Sequence, residues 1–268
     1  SYLIVRNDSP FKSVDDLARQ KYDVLVPTMG ALHAGHQSLI KLAKSKSDQV
    51  LVSIFVNPLQ FENKDDLANY PKSLEKDLEL AKAAGATAVF APSESVIYPG
   101  DIEKISAGPI GDLYEGQARP GHFSGVLTVV KRLFDLVKPK AAVFGEKDFQ
   151  QLFLIKQMVK QLALPIEIIS GPTIRDLDQV AISSRNIKLN ESGRNTSLVI
   201  PKVLKMATVE QMKKVLEIES EFKVDYLEVI DETTFMPAVA GTVNKRVIIA
   251  GWVNQVRLLD NMRMGGIK

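Results

Sequence analysis

A chain of 268 residues that is 45% hydrophobic and 25% charged can bury a sizeable core, in one large domain or two smaller ones. With 34 basic against 32 acidic side chains the net charge is only +2, which leaves no cationic tract to grip a nucleic-acid backbone while remaining compatible with anionic small ligands. The absence of cysteine excludes a disulfide framework, a cysteine nucleophile and thiolate zinc sites; with no leader-like segment and no long apolar run, a cytoplasmic protein with no membrane and no nucleic-acid partner is expected.

In chain order, a helical pattern over 14–20 leads into an apolar strand over 23–26 and then a glycine-marked turn ending in His33-Ala34-Gly35-His36. Next come a helix over 37–46, a strand over 50–56, a helix over 73–84 and a strand over 87–91. Beyond a glycine-rich stretch at 115–125, the pattern gives a helix over 125–137, a strand over 141–144, a helix over 149–162 and a strand over 166–169. Buried strands alternating with helices predict an α/β fold, a Rossmann-like parallel sheet with flanking crossover helices. The later chain is more polar, with a helix over 209–218 and strands over 225–230 and 246–253. A first domain over 1–173 and a smaller C-terminal α+β domain over 174–268 are therefore expected.

Ligands of parallel sheets bind beyond the carboxyl ends of the strands, and the polar motifs fall there. Neither a Walker loop nor a dinucleotide fingerprint occurs. Instead a strand runs into His-x-Gly-His at a helix start, where unpaired N–H groups and partial positive charge favour phosphate. Gly35 would admit a ligand to the backbone, and His33 and His36 would add donors. The same four residues also fit a capping histidine beside a helix-facing one, or a two-histidine metal site. Asn57 and Gln60 follow the second strand, while Gly145, Glu146, Lys147 and Asp148 follow the fourth and open a helix carrying Gln150 and Gln151. Three strand ends are thus expected to face one crevice. Ser183, Ser184 and Arg185 supply two hydroxyls and a guanidinium suited to closing over phosphates, or form a surface loop with a helix cap.

His-x-Gly-His resembles the signature of the nucleotidyltransferase superfamily, in which two imidazoles contact the nucleotide's phosphates. The longer segments P-T-M-G-A-L-H-A-G-H, S-I-F-V-N-P-L-Q-F, E-G-Q-A-R-P-G-H-F-S-G-V, F-G-E-K-D-F-Q-Q-L and I-S-S-R-N, in this order, resemble the pantothenate synthetase family. The match runs through most of the chain from Val24 to Asn186, with weaker echoes at 224–231 and 257–261.

The resemblance implies ATP-dependent condensation of (R)-pantoate with beta-alanine through a pantoyl-adenylate, with release of pyrophosphate and then AMP. It implies Mg²⁺ carried by the triphosphate and water, no protein metal cage, and a homodimer. By similarity ATP is bound by Met29, Gly30, Ala31, Leu32, His33, Ala34, Gly35 and His36, by Gly145, Glu146, Lys147 and Asp148, and by Ile174, Ile182, Ser183, Ser184 and Arg185. The catalytic set is His33, His36, Lys147, Ser183, Ser184 and Arg185. His36 is the candidate acid for pyrophosphate departure, Lys147 neutralises phosphoryl charge, and Asp148 suits ribose hydroxyls. Gln60 and Gln151 correspond to pantoate ligands, with Gln60 also meeting beta-alanine. Met29 and the Val126 region would touch the gem-dimethyl carbon. Residues 115–125 are expected as a lid, with Arg119 and His122 as gate residues.

Two other classes use similar residues: a nucleotidyltransferase that stops after moving a nucleotide onto a phosphate ester, and a non-catalytic nucleotide-binding regulator. Paired amides in place of an arginine cluster for a second phosphate speak against the former. The chain also departs from the family pattern twice. Asp178-Gln179 stands where Asp-Gly is common, so a turn there cannot use glycine's easy positive φ and is expected to be placed differently. The segment 196–224 is shorter than the pattern.

Overall fold

A computed structural model describes residues 2–6 and 15–265. The chain divides into two compact units, one comprising the chain to Glu146 together with Gln151–Pro172, the other Lys147–Gln150 and the chain from Thr173.

The first unit is built on a sheet in the order β1-β4-β3-β2-β5-β6, from strands β1 (Tyr2–Arg6), β2 (Val24–Thr28), β3 (Val50–Ile54), β4 (Ala88–Pro92), β5 (Ala141–Gly145) and β6 (Glu167–Gly171). All five expected strands form and run parallel, while β1, which the sequence reading did not identify, pairs antiparallel with β4. Chain winding reverses between β2 and β5. Their ladder joins only Val24 to Ala141 and Leu25 to Ala142, whereas β2 stays paired with β3 as far as Thr28 and Ile54. The sheet therefore opens at its carboxyl end at the point of reversal, the usual place for a ligand crevice.

Helices α1 (Asp15–Gln20), α2 (Ala34–Lys46), α3 (Lys64–Ala68), α4 (Leu74–Ala84), α5 (Glu94–Ile97), α6 (Glu115–Ala118), α7 (His122–Val137) and α8 (Phe149–Gln161) lie between these strands. The first was expected to begin at Val14, which lies outside the described residues. The core of this layer joins Val24, Val26, Val50, Val52, Ala141 and Val143 from the sheet to Ile40 and Ala43 of α2 and Ala81 and Ala84 of α4. Burial on both faces accounts for the unbroken valine-rich runs that made the strands legible. Helix α4 stops at Gly85, whose φ of 109° permits the Ala86 N–H to close back on the Ala81 carbonyl.

In the second unit a three-stranded antiparallel sheet, β7 (Phe222–Asp231), β8 (Lys245–Val253) and β9 (Val256–Arg263), follows helices α9 (Glu191–Ser197), α10 (Val199–Leu204) and α11 (Val209–Ile218). Val203, Met212, Leu216, Phe222, Val247, Ile249 and Val253 form its core. Strand β9 was not expected. A two-residue turn with Asn254 at φ 53° folds it back on β8, and its buried positions include Asp260 and Asn261 rather than apolar residues alone.

Candidate active site

The turn after β2 is held in a left-handed conformation, with Gly30 at φ 80° and Ala31 at φ 51°. Two successive residues of this kind are costly outside glycine, and the turn is secured from α4. Asp77, 3% exposed, accepts the Ala31 N–H at Oδ2 (3.0 Å) and the Leu32 N–H at Oδ1 (2.9 Å). A Cβ on Gly30 would stand 2.9 Å from the same carboxylate. Thr28 ties the turn's root to the sheet, donating its hydroxyl to the Ser53 carbonyl (2.8 Å) and accepting from the Gly30 N–H (3.2 Å). Asp77 was missed by sequence reasoning. It lies 46 positions from Ala31 and looks like any charged residue of an amphipathic helix.

The two histidines form a reciprocal cap at the start of α2. His33 Nδ1 accepts the Gly35 N–H at 3.0 Å and His36 Nδ1 accepts the His33 N–H at 3.1 Å, with ring centroids 4.0 Å apart. This explains why α2 begins at Ala34, three residues ahead of the expected start: imidazoles do the work that Ser or Glu does in ordinary capping boxes. A nitrogen that accepts from a backbone N–H carries no proton, so in each neutral ring the proton sits on Nε2, which is then a donor. Capping therefore occupies only the Nδ1 atom of each ring. Gly35 has a different task from the one expected. A Cβ there would meet His33 Cε1 at 2.7 Å, so the glycine makes room for the folded-back ring.

At the end of β3, Asn57 (1% exposed) caps the 3₁₀ turn Pro58–Gln60. Its Oδ1 accepts from the Leu59 N–H (3.3 Å) and the Tyr98 hydroxyl (2.6 Å), and its Nδ2 donates to Gln60 Oε1 and the Gly125 carbonyl (both 3.0 Å). Gly125 is required sterically, because a Cβ would lie 2.3 Å from the Leu59 carbonyl oxygen. The stretch expected as a lid is packed at its ends and exposed between them: Glu115 and His122 are buried, Gln117, Pro120 and Gly121 are exposed, and His122 Nδ1 lies 2.9 Å from the Gln60 carbonyl. His122 thus braces the Gln60 turn from the first residue of α7. Val126 is buried in the same helix, Met29 is half-buried, and Gln151 is half-buried in the first turn of α8. Gly145 and Glu146 end the first unit's course along β5.

In the second unit, the Lys147 carbonyl accepts from Asn261 Nδ2 (2.8 Å), and Asn261 Oδ1 accepts from Arg246 (2.7 Å). The Arg246 guanidinium also lies over the Phe149 ring at 4.2 Å, and Phe149 stacks on Phe235 at 6.1 Å. The Lys147 side chain, 21% exposed, makes a long 3.9 Å pair with Asp148. Arg175 and the buried Asp260 form a bidentate pair at 2.7 and 2.9 Å. Ile174 and Ile182 pair through the Ile182 N–H (2.9 Å) and flank the tip 175–181. Ser183 accepts the Arg185 N–H (3.2 Å), capping a 3₁₀ turn that contains Ser184, and Arg185 donates to the Arg257 carbonyl (3.3 Å).

The tip turn corrects the expectation of a displaced geometry: Gln179 itself adopts φ 72°. Its N–H donates to the Asp176 carbonyl at 2.8 Å, and Arg194 clamps Asp176 and Asp178, each at 2.8 Å. The Arg194 hydrogen bonds hold the Asp178 carboxyl below the usual range.

The family model described as pantoate-beta-alanine ligase matches residues 4–263. A pantothenate synthetase of Acidothermus cellulolyticus is 44% identical over 89% of this chain and 84% of the relative, and one of Corynebacterium glutamicum is 42% identical over 94% and 96%. The crystal structure of pantothenate synthetase from Thermus thermophilus superposes with a TM-score of 0.87 at 38% identity, covering 94% of this chain and 98% of that one. A pantoate-beta-alanine ligase from Francisella tularensis, solved in complex with beta-gamma ATP and beta-alanine, gives 0.79 at 37% identity over 93% and 94%.

Proposed function

This chain belongs to the pantoate-beta-alanine ligase family, and we propose that it condenses (R)-pantoate with beta-alanine at the cost of ATP in two displacements. A pantoate carboxylate oxygen attacks the α-phosphorus of ATP and pyrophosphate leaves, giving pantoyl-adenylate. The beta-alanine amine then attacks the acyl carbon, the C–N bond forms, the amine proton is lost and AMP departs with the carboxylate oxygen. Neither step needs a protein nucleophile, so the residues position and neutralise charge.

The observation that carries this reading is the reciprocal imidazole cap, which commits both Nδ1 atoms to the backbone and both Nε2–H groups to donation. Donors in fixed orientation suit the phosphates of a nucleotide, and we assign them with Met29–His36 to ATP. Lys147 offsets charge building on the phosphoryl group, Asp148 takes ribose hydroxyls, and Ser183, Ser184 and Arg185 hold phosphate oxygens. Gln60 and Gln151 hold pantoate, and Gln60 also meets beta-alanine. In this scheme residues 1–173 bind nucleotide and pantoate, and the phosphate loop opens the domain over 174–268.

We assign Mg²⁺ to the triphosphate, as part of the nucleotide substrate. Among the described residues no three His, Asp or Glu side chains converge as a metal cage. Cytoplasmic location and a homodimer complete the proposal, and no helix of the described residues is long and apolar enough to cross a membrane. Sedimentation of a monomer at micromolar concentration would remove the dimer.

The deciding experiment is pyrophosphate–ATP exchange, which must require pantoate and proceed without beta-alanine. ¹⁸O placed in the pantoate carboxylate must appear in AMP once beta-alanine is added. Label in inorganic phosphate would establish an acyl-phosphate route instead. A stable nucleotidyl product without label transfer would make the protein a plain nucleotidyltransferase, and ATP binding without exchange would make it a regulator.

A further inference from the structure

We propose that Tyr98 is a positioning residue that sets the polarity of the carboxylate-binding pocket, acting through Asn57 to hold the Gln60 amide with its NH₂ group toward the substrate. The proposal rests on the reading that Gln60 faces pantoate.

Two groups bonded to the Asn57 amide have a polarity that cannot be exchanged. A backbone N–H only donates and a backbone carbonyl only accepts. The Leu59 N–H at one end of the Asn57 amide and the Gly125 carbonyl at the other therefore fix Oδ1 and Nδ2 without ambiguity. The remaining Asn57 Nδ2 proton goes to Gln60, so the Gln60 atom 3.0 Å away is its oxygen. The Gln60 main chain is also fixed, its N–H on the Asn57 carbonyl and its own carbonyl 2.9 Å from His122 Nδ1. Gln60 is 8% exposed, and its Nε2 makes no hydrogen bond among the described residues. Gln60 Nε2 is not among the buried side-chain atoms left without a partner, so its NH₂ group is open to solvent or to a ligand acceptor.

Tyr98 supplies the lock. Its hydroxyl reaches Asn57 Oδ1 at 2.6 Å, the shortest contact of the network, and an amide oxygen cannot return the proton. Burial pushes the phenol's pKa up, with Glu94 acting in the same direction, so the hydroxyl remains a donor throughout the working pH range. Its ring is held edge-on to Phe55 at 6.0 Å. The Tyr98 hydroxyl thus reinforces, two hydrogen bonds away, the Gln60 orientation that the Leu59 N–H and the Gly125 carbonyl set through Asn57. The ligand atom that meets the Gln60 NH₂ must be an acceptor, a carboxylate, carbonyl or hydroxyl oxygen.

The test uses the whole chain and pantoate. In the wild type, pantoate must shift the Gln60 side-chain NH₂ resonances in ¹⁵N-edited spectra, assigned by their loss in Gln60→Ala. Tyr98→Phe keeps the ring and removes the donor. It should raise the pantoate KM about tenfold and leave the ATP KM within about twofold. Equal changes in both KM values, or an unchanged pantoate KM, would overturn the lock. Unshifted Gln60 resonances would overturn it even if the variant failed to fold. The two ideas separate cleanly: Gln60→Ala without a pantoate defect defeats the pocket assignment itself, whereas a defect there with a silent Tyr98→Phe defeats only the role of Tyr98.

Discussion

The cap that His33 and His36 form and the phosphate contact proposed for them can be separated by substitution. In His33→Asn, Oδ1 takes the place of Nδ1 and the cap persists; in His33→Ala it is lost, at a cost of about 1 kcal/mol. Both remove the Nε2 donor, so both should lose pantoate-dependent exchange by roughly 10²-fold while only the alanine variant melts earlier. Full exchange in His33→Asn would reduce the histidine to a cap. Gln179 offers a cleaner stability test, because it holds φ 72° without glycine's freedom. Gln179→Gly keeps the backbone hydrogen bonds of the turn and should gain about 0.5–1 kcal/mol in denaturant titration; a loss would mean that the side chain contributes more than the strain it carries. At this scale the sequence displayed the residue types that meet phosphate. It could not display that each imidazole has one nitrogen committed to the backbone, nor that Asp77 reaches back across 46 positions to fix the turn, since neither relation leaves a local pattern.

Elements were legible in proportion to how regularly they bury apolar surface. The central parallel strands β2, β3 and β5 stood out as buried apolar runs, and α11 matched its expected span of Val209–Ile218. Strand β9 was hidden because Asp260 and Asn261 occupy buried positions. Helices α2 and α7 began three residues early, at Ala34 and His122: α2 starts from its imidazole cap, whereas α7 follows Gly121 at φ 76° and is packed from His122 onward. The C-terminal sheet depends on one carboxylate just beyond β7. Glu232 accepts from Arg246 on β8 at 2.8 Å and from Arg263 on β9 at 2.7 Å. Burial alone would push its pKa up, but the hydrogen bonds and charges of Arg263 and Arg246 together outweigh it and hold the pKa below its ordinary 4.5. A depressed carboxylate contributes its full stability above the unfolded-state pKa and loses it as the pH falls through the folded-state value. Glu232→Gln should therefore cost roughly 2–4 kcal/mol at pH 7, and the gap to wild type should close progressively below about pH 4.5. A gap that is constant from pH 7 to 3 would show that the glutamate contributes packing alone.

For the whole molecule, fold class and family were within reach of the sequence, because ordered motifs at strand ends report both. The grouping of Lys147–Gln150 with the second unit was not, because it depends on Phe149 lying under Arg246 and on the Lys147 carbonyl meeting Asn261. Asn261→Ala should lower kcat about tenfold with little change in the ATP KM, since it loosens the backbone that carries the ammonium and leaves the ammonium itself in place. Equal loss in Asn261→Asp and Asn261→Ala is expected, because a carboxylate cannot donate to the Lys147 carbonyl. Rescue by aspartate would refute the assignment.

The Asn261 hydrogen bond also sets an order of events during synthesis. Lys147 leaves the ribosome more than a hundred residues before its carbonyl's partner, 114 positions downstream. The parallel sheet can assemble once β6 has emerged, but the segment that bears the ammonium must wait for the final strand. Nascent chains arrested between Gly171 and Val256 should accordingly show a protease-resistant first sheet while cleavage persists around Lys147, and that susceptibility should vanish only when β9 is released.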